Sequence, residues 1–457
     1  MARNSILLGV CLTVGLVAAA CQGSGGSSES SGPTRIPQAT RAQLSAAGLG
    51  RLPVAPASRR IDLTAPPFSN STHVTNPLFP IGRLRSAVLA GEVDAKPFKT
   101  ETTLLPTTRL IEWPEGGQVE TLVSQYVAYL GGRLEEVALD YYAQADDGSV
   151  WYFGEDVFNY KGGVIADTEG TWIAGEENPP AMIMPADPQV GDVYRSENVP
   201  GLVFEEVTVR AVDKIVNGPS GPVTGAMIGE ELHQDGTREA KTFAPGYGEF
   251  FTGAGGDVEA IALAVPADAL SRSVPAELQT LSASADAIFN RVQSGSWSAA
   301  SRAFRSASRA WKSYSTARVP PRLDSRMKRA LDDVGRVVAA RDRASAATAA
   351  IAVAQAGLDL QLRYRPPAEV DRARFGLWAR RLLVDAAADD VAGATGDVAT
   401  LEWIRDRFAH TLGKVERTRI DTELGELRTS MIDGDLRGAA ETATALAGTR
   451  GAGEPSG

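Results

Sequence analysis

Near Ser271 the hydrophobic period of the chain changes from two to between three and four. One part must therefore fold as strands and the next as helices. Upstream, Val119, Thr121, Val123, Gln125, Val127 and Tyr129 alternate with residues of the other face, Gly131-Gly132 follows, and Val137, Leu139 and Tyr141 resume the alternation. That is a hairpin. Asp147-Gly148, Gly162-Gly163 and Asp235-Gly236 repeat the device, because such dipeptides tolerate the positive φ of tight turns. Pro179-Pro180 and Pro185 to Pro188 break the alternation with a loop, since proline donates nothing to a ladder. The expected product over residues 61–270 is an antiparallel meander or half-barrel of roughly eight to eleven strands.

Beyond it, Trp297, Ala300, Phe304, Ala307, Trp311 and Tyr314 form one apolar stripe, and Val398, Leu401, Phe408 and Leu412 another. Pro320-Pro321 precedes Leu323-Asp324, Pro366-Pro367 precedes Val370-Asp371, and Ile420-Asp421 opens a third such helix. Proline suits a first helical turn, and aspartate there meets the positive end of the dipole. The spacing predicts four helical hairpins, near 276–318, 321–364, 367–413 and 417–449. Their length is in the range of HEAT-type repeats, and two packed four-helix units fit the pattern equally well. The fold class is thus α+β in two parts, the all-α region covering 271–450 and a disordered tail 451–457.

The first 20 residues, with Arg3 before an apolar run from Ile6 to Ala20, have the order of a secretory signal. That run is shorter than the roughly 20 apolar residues a spanning helix needs. Ala18-Ala19-Ala20-Cys21 resembles a bacterial lipobox, although Ala18-x-Ala20 also suits an ordinary signal peptidase. Cysteine usage favours lipidation at Cys21: the only other cysteine, Cys11, leaves with the signal, so Cys21 has no disulfide partner. The expected location is extracytoplasmic, on a membrane through the lipid anchor. Residues 21–60, beginning QGSGGSSESSG after the cysteine, are expected to act as a flexible leash with a reach of roughly 35 Å, with a short helical possibility from Gln38 to Ala47.

Charge separates the two parts. Residues 61–270 hold 12 Lys or Arg against 32 Asp or Glu, and residues 271–450 hold 28 against 22. Each surface can simply be solvated; alternatively the acidic domain docks on the Arg-rich helices, or those helices face anionic headgroups. An acidic exported chain is a poor match for nucleic acid.

Motifs of catalysis are missing from the sequence. His73, His233 and His410 fall in a loop, beside a hairpin turn and on a helix, and no two share a metal-ligand spacing. There is no nucleophile elbow, phosphate loop or zinc-protease helix. No metal or cofactor is expected, and an enzyme is not. A carboxylate pair remains open, since acid and base can be distant in sequence. Asp146-Asp147-Gly148 with Glu155-Asp156 reads as a hairpin turn, its spacing differing from an EF-hand. Tyr141, Trp151, Phe153 and Trp172 are candidate ligand-facing aromatics on a concave sheet face; the alternative is a core packed on both faces.

Asp140-Tyr141-Tyr142-Ala143-Gln144 followed by Asp147-Gly148-Ser149-Val150-Trp151-Tyr152-Phe153-Gly154-Glu155-Asp156 resembles a β domain that recurs in uncharacterised bacterial exported proteins. Asn76-Pro77-Leu78-Phe79-Pro80, Met184-Pro185-Ala186-Asp187-Pro188 and Ala244-Pro245-Gly246-Tyr247-Gly248 fit it in order. The resemblance covers about 73–265 and implies no activity; its last strand is loosely similar to the lipoprotein-carrier half-barrel. Three functions follow as expectations: an envelope module binding a protein partner through its helices, a carrier or sensor of an apolar or amphipathic ligand in the β domain, and, as outsider, a carboxylate hydrolase.

Overall fold

The computed structural model describes residues 32–175, 178–219, 221–254, 257–265, 270, 273–315 and 319–448. The segment expected to be a signal, the lipidation candidate Cys21 and the expected disordered tail 451–457 lie outside them. Two short strands, β1 (Thr34–Arg35) and β2 (Thr64–Ala65), pair with each other. The rest of the β part is one 14-stranded sheet, larger than the alternation alone suggested. In chain order its strands are β3 (Ser86–Val93), β4 (Lys96–Trp113), β5 (Gly117–Leu130), β6 (Arg133–Gln144), β7 (Val150–Lys161), β8 (Val164–Asp167), β9 (Trp172–Ile173) and β10 (Ala181–Met184). They continue as β11 (Val193–Val199), β12 (Val203–Gly218), β13 (Gly221–His233), β14 (Arg238–Ala244), β15 (Gly248–Ala254) and β16 (Asp257–Val265).

The sheet is two meanders sewn along one seam. β3 to β7 run out to β10, β16 runs back to β11, and β3 pairs with β16. All four glycine turns fall where expected: Leu130 pairs with Arg133 across Gly131-Gly132 and Lys161 with Val164 across Gly162-Gly163, while Gly148 and Gly236 turn at positive φ. The hairpin from β3 to β4 escaped the sequence reading, because Asp94 and Ala95 supply its positive φ without glycine.

Residues 32–60 are not a leash. Ile36 and Leu49 are buried, and α1 (Arg41–Ala46) carries a full capping box from Thr40 and Gln43; a single turn, α2 (Ile81–Leu84), leads into β3. Arg60 pairs with buried Asp62, which also accepts from the Arg195 amide. A Gly/Ser/Pro-containing segment still folds when a few side chains such as Ile36 find an apolar surface to cover. Any free tether is confined to the residues before 32.

Eight long helices follow as four hairpins, close to the expected limits: α3 (Ala276–Gln293) with α4 (Trp297–Tyr314), α5 (Pro321–Ala340) with α6 (Arg343–Gln361), α7 (Pro367–Ala387) with α8 (Val391–Phe408), and α9 (Lys414–Ile432) with α10 (Leu436–Leu446). α3 packs on both α4 and α6, and α10 on both α7 and α9, so each set of four closes into a bundle. His410 lies in a 3-10 turn just after α8.

Alternation along the strands gives each sheet face its partner. Val88 and Ala90 of β3 join the core of the first bundle, and Val127, Tyr129, Leu134 and Val137 join that of the second. Tyr129 stacks on Trp378 at 5.4 Å, and the Trp403 indole donates to the Tyr160 hydroxyl at 2.8 Å. Between these apolar contacts lies a buried ionic network: Lys99 to Glu101 (2.6 Å) and Asp359 (3.0 Å), Arg374 to Asp359 (2.7 Å) and Asp371 (2.9 Å), and Arg407 to Glu101 (2.6 Å). Ion pairs across this contact run in both directions: Glu101 of the sheet meets Arg374 and Arg407 of the helices, while Lys99 and Arg133 of the sheet meet Asp359 and Asp385 of the helices. The other face of β3 to β7 is left for a cavity.

Candidate functional site

Alternation also selects the charges that line this cavity. β12 contributes Glu205, β13 Glu231 and His233, β14 Glu239 and Lys241, and β15 Glu249. Their neighbours Glu206 and Glu230 turn to the other face, against Arg195 and Arg210. The sheet curls so that Asp140 and Tyr142 of β6, Tyr152 of β7 and Glu197 of β11 share the same space. A bulge at Gly154, φ 113°, shifts β7 by one residue, so that Glu155 stands beside Asp140 just as Tyr152 stands beside Tyr142. The Tyr152 hydroxyl donates to Asp140 at 2.8 Å.

The cavity has two chambers. An outer one of about 450 Å³ has an apolar wall of Phe79, Pro80, Ile81, Leu84, Leu89 and Tyr247, and an inner one of about 170 Å³ lies among Tyr152, Tyr194, Ser196, Glu197 and Glu231. Phe79, Tyr142, Glu205, Lys241 and Glu249 border both. Carboxyls line both: Asp140, Glu205, Glu239 and Glu249 the outer chamber, Glu197, Glu205, Glu231 and Glu249 the inner.

Lys241 and His233 are the cations facing this wall. Lys241 Nζ lies 2.7 Å from a Glu231 oxygen, and Ser196 donates to the other at 2.8 Å. Burial opposes the charge on Glu231, yet Lys241 and Ser196 outweigh it and hold its pKa below the ordinary value. Lys241 in turn is desolvated, but Glu231, Glu249 and Glu205 keep it well above its usual pKa. His233 bonds Glu205 at 2.8 Å and lies 3.5 Å from Glu239, and these partners raise it to about 10. The remaining carboxyls are short of positive charge. Burial, with a neighbouring carboxylate, lifts Asp140 to about 7, Glu155 to about 8 and Glu197 well above the ordinary range. Glu155 and Glu197 lie close enough for each to influence the other's titration.

The oxygen and nitrogen donors of Glu205, Glu231 and His233 lie within 4.8 Å of one another, the one such group among the described residues. The donors suit a divalent ion. The Lys241 ammonium already stands on Glu231, however, so an ion would have to displace it.

The candidate aromatics are placed elsewhere. Tyr141, Trp151, Phe153 and Trp172 are all buried in one hydrophobic core, and none lines either chamber. Phe68 packs edge-on against Trp151 and Phe153. The aromatics that face the cavity are their neighbours on the other side of the sheet, Tyr142 and Tyr152, stacked at 4.8 Å, with Phe79 edge-on to Tyr142 at 4.9 Å. Strand parity left the choice of face open, and the N-terminal segment bearing Phe68 decided it. His73 and His410 take no part in the cavity.

The segments that carry the motif resemblance do meet. Asn76 donates to the carbonyls of Gly148 (3.0 Å) and Pro185 (2.9 Å), and Gly246 donates to Pro77 (2.9 Å). Together they set Phe79, Pro80 and Tyr247 on the wall of the outer chamber. Cavity residues Glu205, Glu231, His233, Glu239 and Lys241 went unremarked as a set in the sequence; their signal is charge repeating at every second position of adjacent strands. Comparison of the chain with protein-family models and with curated proteins finds no match.

Proposed function

We propose that this is an exported, lipid-anchored binding protein whose β domain holds a small amphipathic cation, its charged group among the carboxyls and its apolar part against the apolar wall of the outer chamber. One observation carries the reading. Six carboxyls, Asp140, Glu197, Glu205, Glu231, Glu239 and Glu249, line a cavity in which Lys241 and His233 are the facing cations, while Phe79, Ile81, Leu84 and Leu89 form an apolar wall of its outer chamber. Buried charge of one sign is costly until a counter-charge arrives, and here a ligand can supply it. An apolar wall of this kind is what an apolar chain prefers. Of the functions expected from sequence, the carrier or sensor is thus favoured over the helical partner module.

Calorimetry with octyltrimethylammonium and with octanoate tests this on the full mature chain. The ammonium should bind and the carboxylate should not, and Glu205→Gln or Glu249→Gln should weaken the ammonium by on the order of 10- to 100-fold. Equal binding of both probes, or of neither, defeats the reading. A second reading has its own observation: Asp140, lifted to about 7, keeps part of its proton at neutrality while Glu231 is held ionised, the split that general acid and base chemistry uses. Turnover of a bound choline or amine ester, lost in Asp140→Asn, would favour the hydrolase; binding without turnover would leave the carrier.

A further inference from the structure

Between Asp286 and Asp324 the chain has seven Lys or Arg and no Asp or Glu. Four of them, Arg302, Arg305, Arg309 and Lys312, are exposed on α4. At 100° per residue they fall within an arc of about 80° and along a line of about 15 Å. Ala300, Ala307, Trp311 and Tyr314, on the opposite side of α4, are buried in the first bundle. The helix is therefore held by one face and offers the other to solvent.

What distinguishes the stripe is that four cations in a row are without a paired carboxylate; Glu277 of α3 reaches α4 at Ser313. Elsewhere in the helical half, Arg326, Arg336, Arg372, Arg380, Arg405 and Arg428 each lie against a carboxylate. Among the described residues the four α4 cations have no ion pair or side-chain hydrogen bond. Clustered cations left uncompensated on a net acidic chain repel one another, and that arrangement suits an external anionic surface. A straight, level row with no apolar side chain in it fits a plane of headgroups better than a pocketed protein partner.

We propose that the α4 stripe docks on anionic phospholipid at the membrane surface. The proposal shares no residue with the cavity and does not depend on it. Each Lys or Arg near an anionic leaflet is worth about fivefold in affinity, an effect that fades within a Debye length and with salt.

The test uses the full mature chain carrying Cys21→Ser, so that no acyl chain contributes. Sedimentation with mixed phosphatidylcholine/phosphatidylglycerol vesicles should show binding that falls with added salt, and pure phosphatidylcholine vesicles should show none. Arg302→Ala/Arg305→Ala/Arg309→Ala should reduce binding on the order of 100-fold with an unchanged melting temperature, and the three-lysine version should restore it. Equal binding by the alanine variant overturns the proposal. So does indifference to the anionic vesicles, including the case in which the protein binds soluble heparin, which would point to a polyanion instead.

Discussion

Lys241 is the residue on which the cavity's charge balance turns. It answers Glu231 at 2.7 Å and stabilises Glu249 and Glu205 as well, so Lys241→Met would leave carboxylates facing each other with His233 alone. Removing one partner of such a pair costs about 3 kcal/mol or more; urea denaturation should show that loss at pH 8 and a smaller one at pH 5, where the carboxyls can take up protons. The same groups set the pH dependence of the ligand-free protein. Asp140 and Glu155 titrate at about 7 and about 8 when folded, against ordinary values of 3.8 and 4.5. The folded state binds these protons more tightly, so stability declines as pH rises from about 4 to about 8. His233, raised from 6.5 to about 10, contributes stability below 6.5 that is lost by about pH 10. Glu101 and Asp359 work the other way: their lowered pKa values give stability above the ordinary carboxylate range that is lost in acid. Melting temperatures measured from pH 4 to 10 should peak near about pH 5 and fall steadily beyond; Asp140→Asn should flatten the slope below about pH 7. A maximum near pH 8 would contradict the assignment.

At the scale of elements, two glycines hold geometry that no other residue can. A Cβ on Gly154 would lie 2.2 Å from the Trp172 carbonyl oxygen, and φ is 113°. Gly154→Ala must open the bulge that brings Glu155 beside Asp140, so a cost of about 2 kcal/mol or more should come with a changed titration of the cavity. A Cβ on Gly163 would lie 2.2 Å from the Ala392 oxygen of α8, so this turn sets how closely the sheet approaches the helix. The helical hairpins repeat a device of their own: Gly295-Ser296, Arg341-Asp342, Asp389-Asp390 and Gly434-Asp435 each place a positive-φ residue before the N-cap of the next helix. Three of these aspartates bond a backbone amide three residues on. Asp342→Ala should therefore cost about 1 kcal/mol, measurable by urea denaturation, with no effect on cavity titration.

For the whole molecule, the two parts are one cooperative unit. Val127, Tyr129 and Leu134 of the sheet are buried together with Phe375, Trp378 and Phe408 of the helices, and Glu101 is shared by Lys99, Arg374 and Arg407. Arg374→Ala leaves buried Asp359 with Lys99 and buried Asp371 with Arg407 at 3.6 Å, and should cost about 3 kcal/mol. Unfolding should remain a single transition followed by fluorescence and by circular dichroism. Residues 34–265 produced alone would expose that apolar face and should aggregate; a soluble, folded fragment would contradict the shared core.

The two-part α+β fold, the four glycine turns and the limits of the helical hairpins were legible in the chain, because period, turn chemistry and proline placement are local properties. The choice of sheet face was not. Glu205, Glu231 and Lys241 are charged residues in strands, and alternation says only that they share a side; whether that side meets water or a cavity depends on the curl of 14 strands. The aromatics Trp151 and Phe153 went to the core because Phe68, more than 80 residues upstream, lies across them. Residues 32–60 read as a linker because a few buried side chains in a polar stretch leave no periodic signal. Nearest-neighbour chemistry set the elements; the acid-lined cavity exists only because distant strands, each choosing faces for its own burial, closed around the same space.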